Sequence, residues 1–141
     1  MTTFAESVVE DAALDWLSRL GWNVLDAASA APSEVGLRRA FSDVVFADVA
    51  LGAIRRLNPA LPQEALEDAR RKLLRLDGPT LEARNRAFHR LLVDGVNVEF
   101  RRPDGSIGGA QARVIDFDDP DNNDWLAVNQ FTVTENHHTR R

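Results

Sequence analysis

The chain has 141 residues, a net charge of −5 and a pI near 5.1, which fits one ordinary domain and argues against a protein that coats nucleic acid through general basicity. Its 44% hydrophobic content permits a real core, and the absence of cysteine excludes a disulfide framework or a cysteine-based zinc site. No apolar run approaches the roughly 18 residues of a membrane span, and the acidic start MTTFAESVVED is no signal peptide, so the expected location is the cytoplasm.

The first predicted element is a helix from about Phe4 to Leu20, with Val9, Ala13, Trp16, Leu17 and Leu20 on one face and Gly21 as its stop. Trp22 to Leu25 reads as a short strand, and Asp26 to Gly36 as a loop without period. Ser42 is the expected N-cap of a second helix running to Leu57, halted by Asn58-Pro59. Pro62 opens a third helix, QEALEDARRKLLRL, whose acids come first and bases last, as the helix dipole favours. Thr80 caps a fourth, LEARNRAFHRLLV.

After Asp94-Gly95 the period becomes two. Val96, Val98 and Phe100 alternate with Asn97, Glu99 and Arg101; the turn PDGS leads into a second strand, AQARVIDF. The acidic loop DDPDNND leads to a third strand, DWLAVNQFTVTE, apolar on both faces in its first half as a central strand would be. The layout is α/β (α+β): first helix and strand over 1–25, a helical block over 37–94, antiparallel or mixed strands over 95–135.

Several clusters invite chemistry. Asp116, Asp118, Asp119, Asp121 and Asp124 resemble a calcium loop, but neither Asp116 nor Asp118 as first ligand places Gly at the sixth position and Glu at the twelfth, so a solvated turn is expected. His137 and His138 are adjacent, and neighbours on a strand point to opposite faces; with His89 on a helix, a metal role is not expected for these histidines. Arg140 and Arg141 read as a solvated terminus, with a phosphate contact as the alternative. There is no GxxxxGK[ST] loop for ATP and no GxSxG elbow. In the first helix, Glu6 and Glu10 lie one turn apart; Glu6 reads as helix-dipole complement, while Glu10 sits at the edge of the apolar stripe.

Four blocks in order, ESVVEDAALDWLSRLGWNVLD, RRAFSDVV with RRLNPALPQEAL, NRAFHRLLVDGVNVEF, and VIDFDDPDNNDWLAVNQFTVTE, make the chain resemble the N-terminal part of the R subunit of type I restriction enzymes, the HsdR family. The resemblance implies a nuclease of the PD-(D/E)xK type that uses Mg²⁺. It also implies an ATP-driven DNA motor in a later region and a complex with modification (M) and specificity (S) subunits that cuts unmethylated DNA. It further implies a glutamate in the first helix about three turns before its terminal glycine, which places Glu10 as a tentative catalytic and Mg²⁺-binding carboxylate.

The rest of that motif has no positions here. A (D/E)xK motif needs a lysine; the only one is Lys72, and Arg70 stands two residues before it. Pro103-Asp104 and Pro120-Asp121 therefore read as turn pairs. The expectation is a fragment cut just short of the Pro-Asp strand, without the motor domain and inactive alone. The alternatives are a stand-alone interaction or DNA-binding protein, or one half of a split nuclease.

Overall fold

A computed structural model describes residues 5–140; Phe4, the expected start of the first helix, and Arg141 lie outside the described residues. The protein is mixed α/β. In chain order it comprises α1 (Glu6–Arg19), β1 (Asn23–Leu25), α2 (Ala47–Leu57), α3 (Gln63–Leu74), α4 (Leu81–Asp94), β2 (Val96–Arg101), β3 (Ile107–Ala112), β4 (Leu126–Val128), β5 (Val133–Glu135) and β6 (His138–Arg140). It divides into two compact units, one of residues 47–123 and one built from 1–46 and 124–141.

The 47–123 unit packs α2, α3 and α4 with the antiparallel pair β2–β3, which runs in register from Val96 opposite Ala112 to Arg101 opposite Ile107. Its core consists of Ile54, Ala65, Leu66, Ala69, Leu73, Val96, Val98 and Ala112. The alternation predicted for β2 is seen directly: Val96 and Val98 are buried and Asn97 and Glu99 exposed. Thr80 caps α4 as expected, its hydroxyl accepting from Ala83 N at 3.1 Å. Gly95 ends that helix at φ +83, where a Cβ would stand 2.7 Å from Ala112 O, so glycine is required on two counts. Lys72 is taken up by the fold: its ammonium donates to Asn97 O at 2.8 Å and pairs with Asp68 at 2.7 Å.

Two boundaries in this unit differ from expectation. α2 starts at Ala47, so Ser42 is no cap. The second strand of the hairpin is Ile107–Ala112, earlier than AQARVIDF; Ile115 and Phe117 fall beyond it, and Phe117 is 60% exposed. The register is set by Gly105 at φ +85 in the PDGS turn, where Asp104 Oδ1 accepts from Ser106 N, and strand pairing begins directly after it.

The acidic loop is an organised turn. Asp116, buried, accepts from the backbone amides of Asp118 and Asp119 at 3.1 Å each and from Asn122 Nδ2 at 3.0 Å, and it pairs with Arg113 at 3.1 Å. Asn123 locks the same turn by bonding both Asp116 N and Asp116 O. These donors, Asn122 foremost, hold the Asp116 carboxyl below the ordinary value of 3.8. A lowered folded-state pKa contributes stability that is complete above the unfolded value and disappears as pH falls through the folded one. Asp116→Asn is therefore expected to lower the thermal midpoint at pH 7, with the deficit shrinking as pH drops below about 4. Melting curves from neutral to strongly acidic pH test this; a deficit constant across that range would refute the assignment.

In the other unit, α1 packs on β1, and β1 pairs in parallel with β4, Asn23 opposite Leu126 and Leu25 opposite Val128. Trp22 and Trp125 stack at 5.2 Å beside this pair. The inward stripe of α1 is Glu10, Leu14 and Leu17, all half-buried. The expected apolar face is mostly outside: Val9 is 61% exposed, Trp16 67% and Leu20 76%. The wheel is apolar on two adjoining stripes, and helical periodicity does not say which of them meets a partner distant in sequence.

The third expected strand is not continuous. It breaks into β4 and β5 around Asn129, Gln130 and Phe131, with Gln130 at φ +55. β5 then turns back on β6 through Asn136 (φ +48) and His137 (φ +65), a two-residue hairpin turn of the mirror-image type that matches strand twist. His137 thus occupies the turn and His138 the following strand, both exposed. No helix among the described residues is long and apolar enough to cross a membrane.

Candidate functional site

The segment Asn129-Gln130-Phe131 leaves the C-terminal end of β4 and is held from three directions. Asn129 N donates to Leu25 O at 2.9 Å, extending the β1–β4 ladder by one bond. Gln130 Nε2 donates to Glu10 Oε1 at 2.6 Å, across a separation of 120 residues in sequence. Phe131 lies on the Arg38 guanidinium, whose central carbon is 4.1 Å from the ring centroid, and meets Phe46 edge-on at 5.8 Å.

Glu10 reaches this place because α1 presents it between Leu14 and Leu17 on the half-buried stripe. Its Oε1 is occupied by Gln130; its Oε2 has no hydrogen-bond partner among the described residues. Glu6, the other acid considered from sequence, is exposed in the first turn, where it complements the helix dipole.

Arg38 was not singled out by sequence reasoning. It is 4% exposed, its Nε donates to Ala30 O at 2.7 Å and its NH1 to Asp43 O at 3.3 Å. The Phe41 and Phe131 rings lie 5.3 and 4.1 Å from its guanidinium, and among the described residues it has no carboxylate partner. A buried guanidinium is tolerated when its donors are used and aromatic faces replace water. Asp43 reinforces the loop by accepting from Arg39 N at 3.0 Å and Ala40 N at 2.9 Å. The 26–46 stretch, read from sequence as a patternless loop over 26–36 and as the start of the helical block from 37, is thus folded around one cation. The pair Arg38-Arg39 in an otherwise apolar and turn-forming stretch was the one available signal.

Chemically the site offers one carboxylate, held through Oε1 by Gln130, near the end of a parallel strand pair. Among the described residues no group of three or more His, Asp or Glu side chains gathers into a metal-binding cluster. A hard divalent ion takes several oxygen ligands. The described residues therefore do not complete a metal site, and the Asp116 turn is satisfied by its own amides.

The class this arrangement belongs to follows from comparison with known proteins. Residues 3–141 match the family model described as type I restriction enzyme R protein N terminus, and the chain belongs to that family. Among its curated relatives, the putative type I restriction enzyme MjaIXP endonuclease subunit of Methanocaldococcus jannaschii is 30% identical over 126 residues, which is 89% of this chain. The type I restriction enzyme HindI endonuclease subunit of Haemophilus influenzae is 33% identical over 129 residues, 91% of this chain. In each case the aligned part is 12% of the relative's length, so the chain spans only a small share of the curated relatives it matches. No solved structure matches.

Proposed function

We propose that this chain supplies the first helix and first strands of the nuclease module of a type I restriction R subunit, with a PD-(D/E)xK core completed by residues beyond those it contains. The observation that carries the reading is the Glu10–Gln130 contact at the end of β4: a first-helix acid brought over 120 residues of sequence to a strand end. In this reading Glu10 is the one ligand the chain contributes to a Mg²⁺ site whose aspartate, glutamate and lysine lie elsewhere. The ion, when bound, neutralises charge on the phosphodiester and lowers the pKa of its bound water. DNA and the M and S subunits are the partners of the assembled enzyme, and ATP serves a motor region outside this chain.

Lys72 cannot supply the missing lysine, because its ammonium is committed to Asp68 and Asn97 O on α3 and β2. The purified 141-residue chain is accordingly expected to show no Mg²⁺-dependent cleavage of plasmid DNA. Clear cleavage that disappears in Glu10→Ala would overturn the reading.

A further inference from the structure

We infer that the free edge of β3 is a self-association site, to which a second copy of this chain adds its own β3 in antiparallel register about Gly109. This edge belongs to the 47–123 unit, and its pairing is independent of the role given to Glu10.

Arg102 N donates to Ser106 O at 2.8 Å where the hairpin turn closes. Bonded pairs alternate in an antiparallel ladder, so Val96, Val98 and Phe100 bond inward to Ala112, Ala110 and Gly108. The odd-numbered residues of both strands therefore turn their amides and carbonyls outward. On β2 that outer edge is closed by side chains of α3. Lys72 Nζ donates to Asn97 O and Glu64 Oε1 accepts from Arg101 N, each at 2.8 Å, which leaves only Glu99 between the two caps. On β3 the outer edge is closed just past the strand at Arg113, whose N donates to Asn58 Oδ1 and whose O accepts from Asn58 Nδ2, both at 2.8 Å. Between that cap and the turn, the outward groups of Ile107, Gly109 and Gln111 have no partner among the described residues, and all three residues are exposed.

Open edges are ordinarily guarded by charge, proline or a bulge. The strand IGGAQA has none of these. Gly109 is also unexplained within the monomer: its φ is not in the left-handed region, and an added Cβ would meet nothing closer than Val98 O at 3.9 Å. Glycine inside a strand weakens it and marks a place where another backbone approaches. The three open positions are symmetric about this glycine. Antiparallel addition of a second β3 sets Gly109 against the partner's Gly109 and Ile107 against the partner's Gln111, so every outward group is answered. The same register brings the Asp104 turn of each copy beside the partner's Arg113, and opposite charges meet at both ends. A two-fold interface must be complementary to itself, and this edge is so as it stands.

Sedimentation velocity of the purified 141-residue chain over a wide concentration range, with amide exchange in parallel, tests this. A reversible monomer–dimer equilibrium is expected. Exchange at Ile107, Gly109 and Gln111 should slow as concentration rises, while exchange at the outward amide of Glu99 stays constant. Gly109→Pro deletes an N–H that the monomer does not use, and should weaken dimerisation at least about tenfold because two hydrogen bonds are lost across the two-fold axis. Gly109→Lys, which leaves the backbone donor in place, should weaken it as well by setting like charges opposite each other. Ile107→Lys alone should weaken the dimer, and adding Gln111→Glu in the same chain should restore it, since the two positions face each other twice. A chain that stays monomeric with fast exchange at all three amides would overturn the proposal. So would a dimer that neither Gly109 variant weakens. Protection of these amides only in the full-length R protein, and there without dependence on concentration, would give the edge to another strand of that protein and overturn pairing with a second copy.

Discussion

Arg38→Ala is expected to destabilise the unit built from 1–46 and 124–141 by about 3 kcal/mol, from lost charged hydrogen bonds and a desolvated cation–π contact. The substitution removes the donor to Ala30 O, a carbonyl on a fully buried residue, and the cation between Phe41 and Phe131. Arg38→Lys is expected to recover little of this, because a compact ammonium cannot both stack flat on a ring and donate along the Nε direction. Arg38→Met keeps most of the volume and separates packing from polarity; its cost should be about 1–2 kcal/mol, the price of the unanswered carbonyls. The protein's three tryptophans, Trp16, Trp22 and Trp125, all belong to this unit, so their fluorescence in a denaturant titration reads the effect directly. Wild-type stability in Arg38→Met would show that the guanidinium contributes only bulk. Because Phe131 rests on Arg38 and follows Gln130, loss of this anchor also releases the bend that carries the Glu10 contact.

The second large effect lies in the 47–123 unit. Ile54 is fully buried among Leu66, Leu73, Val96 and Val98. Ile54→Ala should cost about 3 kcal/mol and Ile54→Val about 1 kcal/mol, since the deleted methyl groups leave a cavity that the surrounding side chains fill only in part. At 1.4 kcal/mol per tenfold, the larger loss accelerates globally limited amide exchange in β2 and β3 by about 100-fold. Far-UV circular dichroism against denaturant and amide exchange together measure this. Equal losses for the two substitutions would contradict a cavity origin.

These two anchors differ in how legible they are in the sequence. Ile54 belongs to a helix whose period, stops and charges announce it, and its unit is assembled mainly from contacts between neighbouring elements. Arg38 lies at the head of the block expected to be helical, ahead of the first turn of α2, and its burial depends on Phe131, far along the chain. Sequence reasoning treats a lone arginine as exposed because burial of an unpaired charge is costly. Only the folded chain reveals the aromatic faces and carbonyls that offset that cost.

The candidate site divides in the same way. Glu10 was reachable from the sequence through its helix position and the family resemblance. Gln130 was not, since VNQF reads as continuous strand and nothing local marks a glutamine for φ +55. The wheel for α1 also named an apolar face that proves largely exposed, because the stripe that is covered is chosen by β1 and the 129–131 bend.

By itself, then, the sequence determined the order and kind of most elements, through period, caps and turn residues that act over a few positions. It also determined the family, through four ordered blocks, and the absence of a (D/E)xK lysine, through a single count. Tertiary structure alone decided the parallel pairing of β1 with β4, the break at Gln130, the burial of Arg38 and the meeting of Glu10 with Gln130. Each of these joins residues far apart in the chain, where hydrogen bonding and burial depend on a partner that local sequence does not encode.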